Sequence, residues 1–347
     1  MFRSMHTYVV TMVLAVLLTV VGTAQAEPQP KESYLRPDTV PAPKDNKVTP
    51  ERVELGRALF FDPRLSGSNW ISCATCHNPA LGWSDGLPTA IGHGMKVLGR
   101  ATPTILNTAY QRKQMWDGRF RSLEEQALGP IQAPGEMAGG DMREVSAELQ
   151  SIPGYVAMFD KAYPGAGINK DTIAKAIASY ERTVVSTEAP FDRWIKGDKN
   201  AISASAKRGF DLFEGKANCN ACHMGFDFMD DGFHNIGLKR NQDVGRFAKL
   251  PLPVMKGAFK TPTLRDVTLT APYMHNGMYK TLEEVVAHYN RGGDDKANLD
   301  PNMKPLHLSE REQADIVEFL ETLTGPAMQV SVPRLPNGLP VSSKGEL

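Results

Sequence analysis

The chain carries the pentapeptide Cys-x-x-Cys-His twice, as Cys73-Ala74-Thr75-Cys76-His77 and as Cys219-Asn220-Ala221-Cys222-His223. This spacing is the attachment signature of c-type haem. The two thiols each bond a vinyl group of one porphyrin, and the adjacent imidazole reaches the iron from one face. A chain tethered in this way must fold around two flat cofactors. One axial position of each iron is then filled, and the other decides between an electron carrier and an enzyme. The competing reading is a zinc site or a redox dithiol. It leaves both adjacent histidines unexplained, and His93 and His234 lack the finger-like spacing that would complete a two-Cys, two-His site. All four cysteines lie in the motifs, so no thiol remains for a separate disulfide.

The N-terminus agrees with a covalent haem protein. Residues 1–26 read as a secretory signal peptide: Arg3 gives a basic start, residues 8–21 are mostly apolar, and Ala24-Gln25-Ala26 is a small-residue cleavage site. The apolar run is shorter than the roughly 20 residues a spanning helix needs. The expected mature chain starts at Glu27 and is exported to the periplasm. Formal charge is zero, and removal of Arg3 with the leader makes it slightly negative. No basic stripe is present, so nucleic acid is not an expected partner. A protein partner must recognise a local patch, because net charge gives no steering.

Residues 27–48 are rich in Pro, Lys and Asp without periodicity and read as an extended arm. Residues 49–186 carry the first motif and residues 187–325 the second, which suggests two c-type-cytochrome-like domains with one haem each. Residues 326–347 form a proline-rich tail that either packs back as extended chain or stays loose. Strand patterns are scarce. Helix starts are marked by capping boxes at Ser122-Leu123-Glu124-Glu125, Thr281-Leu282-Glu283-Glu284 and Ser309-Glu310-Arg311-Glu312. Residues 171–184 place Ile173, Ala176, Ile177 and Tyr180 at helical spacing. The expected fold is mainly α with long loops.

An internal repeat supports two domains. At one constant offset, Pro103-Thr104 matches Pro262-Thr263, Met115 matches Met274, Gly118 matches Gly277, and Leu123-Glu124-Glu125 matches Leu282-Glu283-Glu284. The same alignment sets Trp116 against His275. A duplicated scaffold that diverges at such positions implies unequal haems.

Several residues qualify for the open axial positions. On the helix from Thr281, the residues Leu282, Val285, Val286 and Tyr289 share one face, and His288 points about 100° away from it. Tyr289 is therefore better aimed at a haem, and a phenolate is an established iron ligand. A core tyrosine with a hydrogen-bonded hydroxyl is the alternative. His93 lies between two glycines, in a loop that can bring it to the first iron or leave it in solvent. Glu136 lies in a turn-like segment, and a carboxylate over the iron can move a proton between peroxide oxygens.

These residues together resemble the bacterial dihaem cytochrome c peroxidase family, which includes the MauG-like proteins. The resemblance runs over residues 55–323 and includes Leu59-Phe60-Phe61-Asp62-Pro63-Arg64-Leu65-Ser66, Gly92-His93-Gly94, Met115-Trp116-Asp117-Gly118-Arg119, Gly129-Pro130-Ile131-Gln132 and Ala271-Pro272-Tyr273-Met274-His275. It implies a peroxidatic haem on His77, with Gln126 and Glu136 in the distal pocket and His93 as a resting-state ligand that leaves on activation. It implies that Trp116 lies between the haems and that the haem on His223 relays electrons.

Two departures affect what the resemblance implies. The family's peroxidases have a methionine as the second haem's distal ligand, whereas the matching position here is Tyr289, as in MauG-like members. Met278 and Met303 are the other options. Family members often hold calcium between the domains, and the carbonyl donors match Thr270 and Pro272, but the asparagine donor is replaced by Ala101. Calcium thus stays open, as does a homodimer. The leading expectation is a peroxidase that reduces hydrogen peroxide with electrons from a small cytochrome c or cupredoxin. One alternative is a MauG-like enzyme that uses the oxidising equivalents of peroxide on a side chain of a protein substrate. The other is a dihaem electron carrier with no peroxide chemistry.

Overall fold

The structure is a computed structural model that describes residues 27–239 and 242–337; the expected signal peptide lies outside the described residues. The helices, in chain order, are α1 (Pro50–Phe61), α2 (Cys73–Cys76), α3 (Leu123–Gln132), α4 (Met142–Gln150), α5 (Pro153–Ala162), α6 (Lys170–Glu181), α7 (Pro190–Ile195), α8 (Ala204–Glu214), α9 (Leu282–Asn290) and α10 (Glu310–Glu321). Two short antiparallel pairs are the strands among the described residues: β1 (Ile91–Gly92) with β2 (Lys96–Val97), and β3 (Phe233–His234) with β4 (Phe259–Lys260). The fold is mainly α, as the scarcity of strand patterns implies.

Each haem motif follows a helix that crosses the last helix of its half at a glycine. A Cβ on Gly56 of α1 would lie 1.9 Å from the carbonyl oxygen of Ala176 on α6. A Cβ on Gly209 of α8 would lie 1.9 Å from the carbonyl oxygen of Asp315 on α10. Glycine is needed at both because the backbones touch. The capping chemistry starts these helices: Thr49, Asn169, Ser203 and Ser309 each accept a backbone N–H in the first turn. The boxes at Thr281 and Ser309 form in full. At Ser122 the glutamate reaches one residue further back, so Glu125 accepts the N–H of Arg121 at 2.8 Å.

Two hydrophobic cores result. The first gathers Leu55, Leu59, Phe60, Tyr155, Phe159, Ile173 and Ile177. The second is built on aromatic rings, with Phe191, Phe210, Phe213, Phe228 and Phe319 in mutual contact. The proline-rich arm is more than an extended lead-in. Its Tyr34 is fully buried in the second core and donates to Glu214. Further along the arm, Asn46 is buried in the first half and donates to Glu124 at 2.8 Å and to the Lys175 carbonyl at 2.9 Å. The described part of the tail takes the packed option. Met328 and Val330 lie on the first core, and Arg64 holds the Pro336 carbonyl at 2.9 Å.

The sequence repeat is also a repeat of backbone conformation. Met115 and Met274 have φ of 71° and 72°, and Gly118 and Gly277 both have 62°. Bridges close around them at Gln114–Phe120 and Tyr273–Tyr279. The halves then join through matched bonds. The N–H of Ala101 donates to the His275 carbonyl at 2.7 Å, and the N–H of its repeat partner Lys260 donates to the Trp116 carbonyl at 2.8 Å. The seam is thus a pseudo-two-fold, with Trp116 and His275 in equivalent places.

The helix crossing can be tested by adding one methyl group. Gly209→Ala should lower the unfolding free energy of the holoprotein by about 2 kcal/mol, an overpacking cost. Gly135→Ala, which lies outside the cavity wall and whose added carbon meets nothing nearer than 3.5 Å, should be near neutral. Denaturant unfolding followed by circular dichroism compares them, and equal effects would discount the crossing.

Candidate active site

The long loops between the crossing helices enclose a cavity of about 610 Å³ that extends along both motifs and the seam. At one end, His77 Nδ1 lies 3.2 Å from the Trp83 carbonyl. At the other, His223 Nδ1 lies 2.7 Å from the Phe228 carbonyl. A carbonyl accepts only from a protonated Nδ1, so each Nε2 keeps its lone pair, the arrangement expected of a metal-ligating histidine. Burial lowers the pKa of both rings, that of His223 to about 4, so both are neutral, as ligation requires. Burial also pushes the Cys76 thiol up to about 11 and that of Cys219 to about 12. These thiols stand in for the uncharged thioether sulfurs of an attached haem. The donor set fits two c-type haems.

Around the first motif, Gln126, Glu136, Met115 and Arg119 line the cavity. Burial raises the Glu136 pKa, and the Arg119 guanidinium, 3.6 Å away, works against that rise. Gln126 Nε2 lies 4.0 Å from the Met115 sulfur. The β1–β2 hairpin is attached to the Glu136 turn. The His93 N–H donates to the Glu136 carbonyl at 2.8 Å, and a Cβ on Gly92 would lie 1.9 Å from the Gly135 carbonyl oxygen. The His93 ring is nonetheless not part of the cavity wall, although Gly92 is. Its Nδ1 is buried without a hydrogen-bond partner among the described residues.

At the seam, Trp116 Nε1 donates to the Ala101 carbonyl at 2.9 Å. Its ring lies edge-on to His275 at 6.4 Å, and His275 stacks on Phe259 at 3.5 Å. Arg100 caps the stack 5.4 Å from Phe259 and pairs with Asp117 and Asp243. Thr270 and Pro272 border the same cavity.

At the second motif, the α9 face presents Leu282, Val285, Val286 and Tyr289 to the cavity. His288 is turned away, its two ring nitrogens engaged by the Tyr279 hydroxyl and the Ile236 carbonyl, both at 2.9 Å. The Tyr289 hydroxyl, by contrast, has no hydrogen-bond partner among the described residues, and burial raises its pKa. Met303 also lines this end, whereas Met278 is exposed and does not.

The comparisons with known proteins agree with this geometry. Residues 50–200 match the family model described as di-haem cytochrome c peroxidase, and residues 206–324 match that of cytochrome c. The methylamine utilization protein MauG of Methylorubrum extorquens is 52% identical over 309 residues, 88% of this chain and 87% of that protein. The cytochrome c551 peroxidase of Pseudomonas aeruginosa is 38% identical over 310 residues, 86% of each chain. A crystal structure of a MauG-like protein associated with microbial copper homeostasis superposes with a TM-score of 0.78 at 31% identity, covering 84% of this chain and 93% of that one. The chain belongs to the dihaem cytochrome c peroxidase family. As a member of that family it is an oxidoreductase with two covalently bound c-type haems.

The dihaem site contains residues that sequence reasoning missed. Phe259 and Arg100 complete the seam stack, but only the fold brings them beside Trp116. His234, which lacks the spacing of a zinc-finger ligand, is another. In the structure it lies between Asp230 at 2.9 Å and Asp300 at 2.7 Å, next to the second motif. Burial by itself would lower its pKa, but Asp230 and Asp300 outweigh burial and raise it; the Cys222 thiol adds to the rise only until its sulfur becomes a thioether. An imidazolium so held stabilises the fold fully below the ordinary histidine pKa of about 6.5. That contribution shrinks as pH rises towards the folded value. The stability cost of His234→Phe should therefore be larger near pH 6 than near pH 9, as measured by denaturant unfolding at each pH; a cost that rises with pH contradicts the assignment.

Proposed function

We propose that this protein is a MauG-like dihaem enzyme that spends the two oxidising equivalents of hydrogen peroxide on an aromatic side chain of a partner protein. The observation that carries this reading is Tyr289. Its hydroxyl has no partner among the described residues and lies in the cavity wall of the second motif, where the resemblance sets methionine in the family's peroxidases. An anionic phenolate oxygen favours ferric iron and lowers the reduction potential. Such a centre accepts electrons poorly from an ordinary high-potential cytochrome. The higher identity to MauG than to the c551 peroxidase supports the same reading.

The proposed roles follow from the residues in place. When bound, the haems supply one-electron redox chemistry and an iron at which peroxide oxygen binds. Glu136 takes the proton from one peroxide oxygen and returns it to the other. Burial moves its pKa upward, the direction that makes a carboxyl a more effective acid and base. Arg119 opposes that rise by favouring the carboxylate, and Gln126 positions the small ligand. Trp116 joins the two ends of the cavity across the seam. Overall, peroxide gains two electrons and two protons to give two waters, and the partner's side chain loses two of each. The same reading has the chain exported and cleaved after Ala26. The peroxidase reading, with a small cytochrome c or cupredoxin as donor, keeps one observation in its favour: Met303 shares the wall with Tyr289.

Electron paramagnetic resonance and optical spectra of the ferric holoprotein distinguish the two readings. His/Tyr ligation of the second haem is expected, and a His/Met spectrum with fast turnover of a reduced small cytochrome would overturn the proposal. Glu136→Gln should slow the reaction with peroxide by about 10²–10⁴-fold in stopped flow. In the parent protein that rate should fall towards acid with a midpoint above the ordinary glutamate pKa, because the carboxylate must be free to accept a proton.

A further inference from the structure

Comparing the two halves at their matched helix crossings reveals a carboxyl with no assigned role. In the first half, a Cβ on Gly56 would meet Ala176 and Tyr180; in the second, a Cβ on Gly209 would meet Asp315 and Phe319. The next residue in each helix faces the cavity. In the second half it is Leu320, and in the first it is Glu181. Both are almost fully buried, at 6% and 4% exposure. Leucine satisfies the packing in the second half, so packing does not require a carboxyl in the first. Burying one is costly unless something offsets it. Glu181 Oε2 nevertheless has no hydrogen-bond partner among the described residues.

We propose that Glu181 is a redox-linked proton site of the first haem, holding a proton when that haem is reduced and releasing it when the haem is oxidised. In balanced form, one electron enters the first haem as one proton passes from solvent to the Glu181 carboxylate, and both leave on oxidation. The physical basis is Coulombic. An oxidised haem carries one more positive charge than a reduced one, and in a poorly polarisable cavity that charge acts strongly on a nearby carboxylate. Burial raises the affinity of this carboxyl for protons to a pKa of about 8, so the group titrates in the neutral range. The charged groups that act on it are Arg182, which favours the carboxylate, and Glu124 on α3, which opposes it. Those two form an ion pair at 2.8 Å. Cys73 on α2 is an ionisable neighbour only until its sulfur becomes a thioether. Glu181 lies on α6, whose Ile173 and Ile177 belong to an apolar core shared with Phe60 of α1 and Leu149 of α4. The inference rests on the first haem and not on which partner the enzyme serves.

The test uses the full chain with both haems attached. Spectroelectrochemical titration between about pH 5 and pH 9 should show the first haem's midpoint falling as pH rises, approaching one proton per electron, or about 59 mV per tenfold change in proton concentration. Glu181→Gln and Glu181→Leu, the latter copying Leu320, should both remove that slope and leave the second haem unchanged. In infrared difference spectra of the parent, a protonated-carboxyl band should appear on reduction and be absent from both variants. A slope that survives in Glu181→Gln overturns the proposal, as does a flat midpoint in the parent. If neither variant incorporates haem, the parent's infrared spectrum decides alone, and no carboxyl change on reduction refutes the assignment.

Discussion

Two hydrogen bonds from imidazole to backbone carbonyl, His77 to Trp83 and His223 to Phe228, determine how everything else must be arranged. Each fixes a tautomer and a ring direction, so an Nε2 lone pair points into the cavity from a set side. A haem carried on that nitrogen and tethered at two sulfurs has little freedom left. The cavity wall that an attached haem would meet includes α3 and the Glu136 turn at the first motif and α9 at the second.

The duplication explains the economy of the design, and its departures from symmetry explain the chemistry. Matched glycines, matched left-handed methionines and matched bonds across the seam give two near-equal halves. On that common frame Trp116 is matched by His275 and Glu181 by Leu320. The Glu136 turn brings a carboxylate to the first motif, while Tyr289 stands over the second. Glu136 and Glu181, whose pKa burial raises, lie at the first motif, whereas α9 walls the second with Leu282, Val285 and Val286 and the His234 group stands beside it.

Much of this could be read from the sequence because the determining signals are local. The haem motifs, the capping boxes and the α9 face depend on residues a few positions apart, and so does the choice of Tyr289 over His288. The repeat was legible because its gap-free offset preserves backbone conformation as well as residue type. What could not be read depends on long-range contacts. No local pattern says that Tyr34 enters the second core, that Phe259 meets His275, or that His234 falls between Asp230 and Asp300. His93 is the instructive case. Its flanking glycines correctly announce a turn, and the turn does adjoin Glu136, but the direction of the ring follows from hairpin packing that no spacing rule encodes.

The buried arm has a consequence for the order in which the molecule is completed. Tyr34 lies near the start of the described chain, yet its partners Glu214, Phe228 and Arg265 come from the second half. As the chain emerges from its amino end, the arm cannot lock until those residues have followed, and long-range closure of this kind is slow. The first half can therefore gather its own core while its clasp is still open. Closing the clasp therefore needs residues of both halves in place.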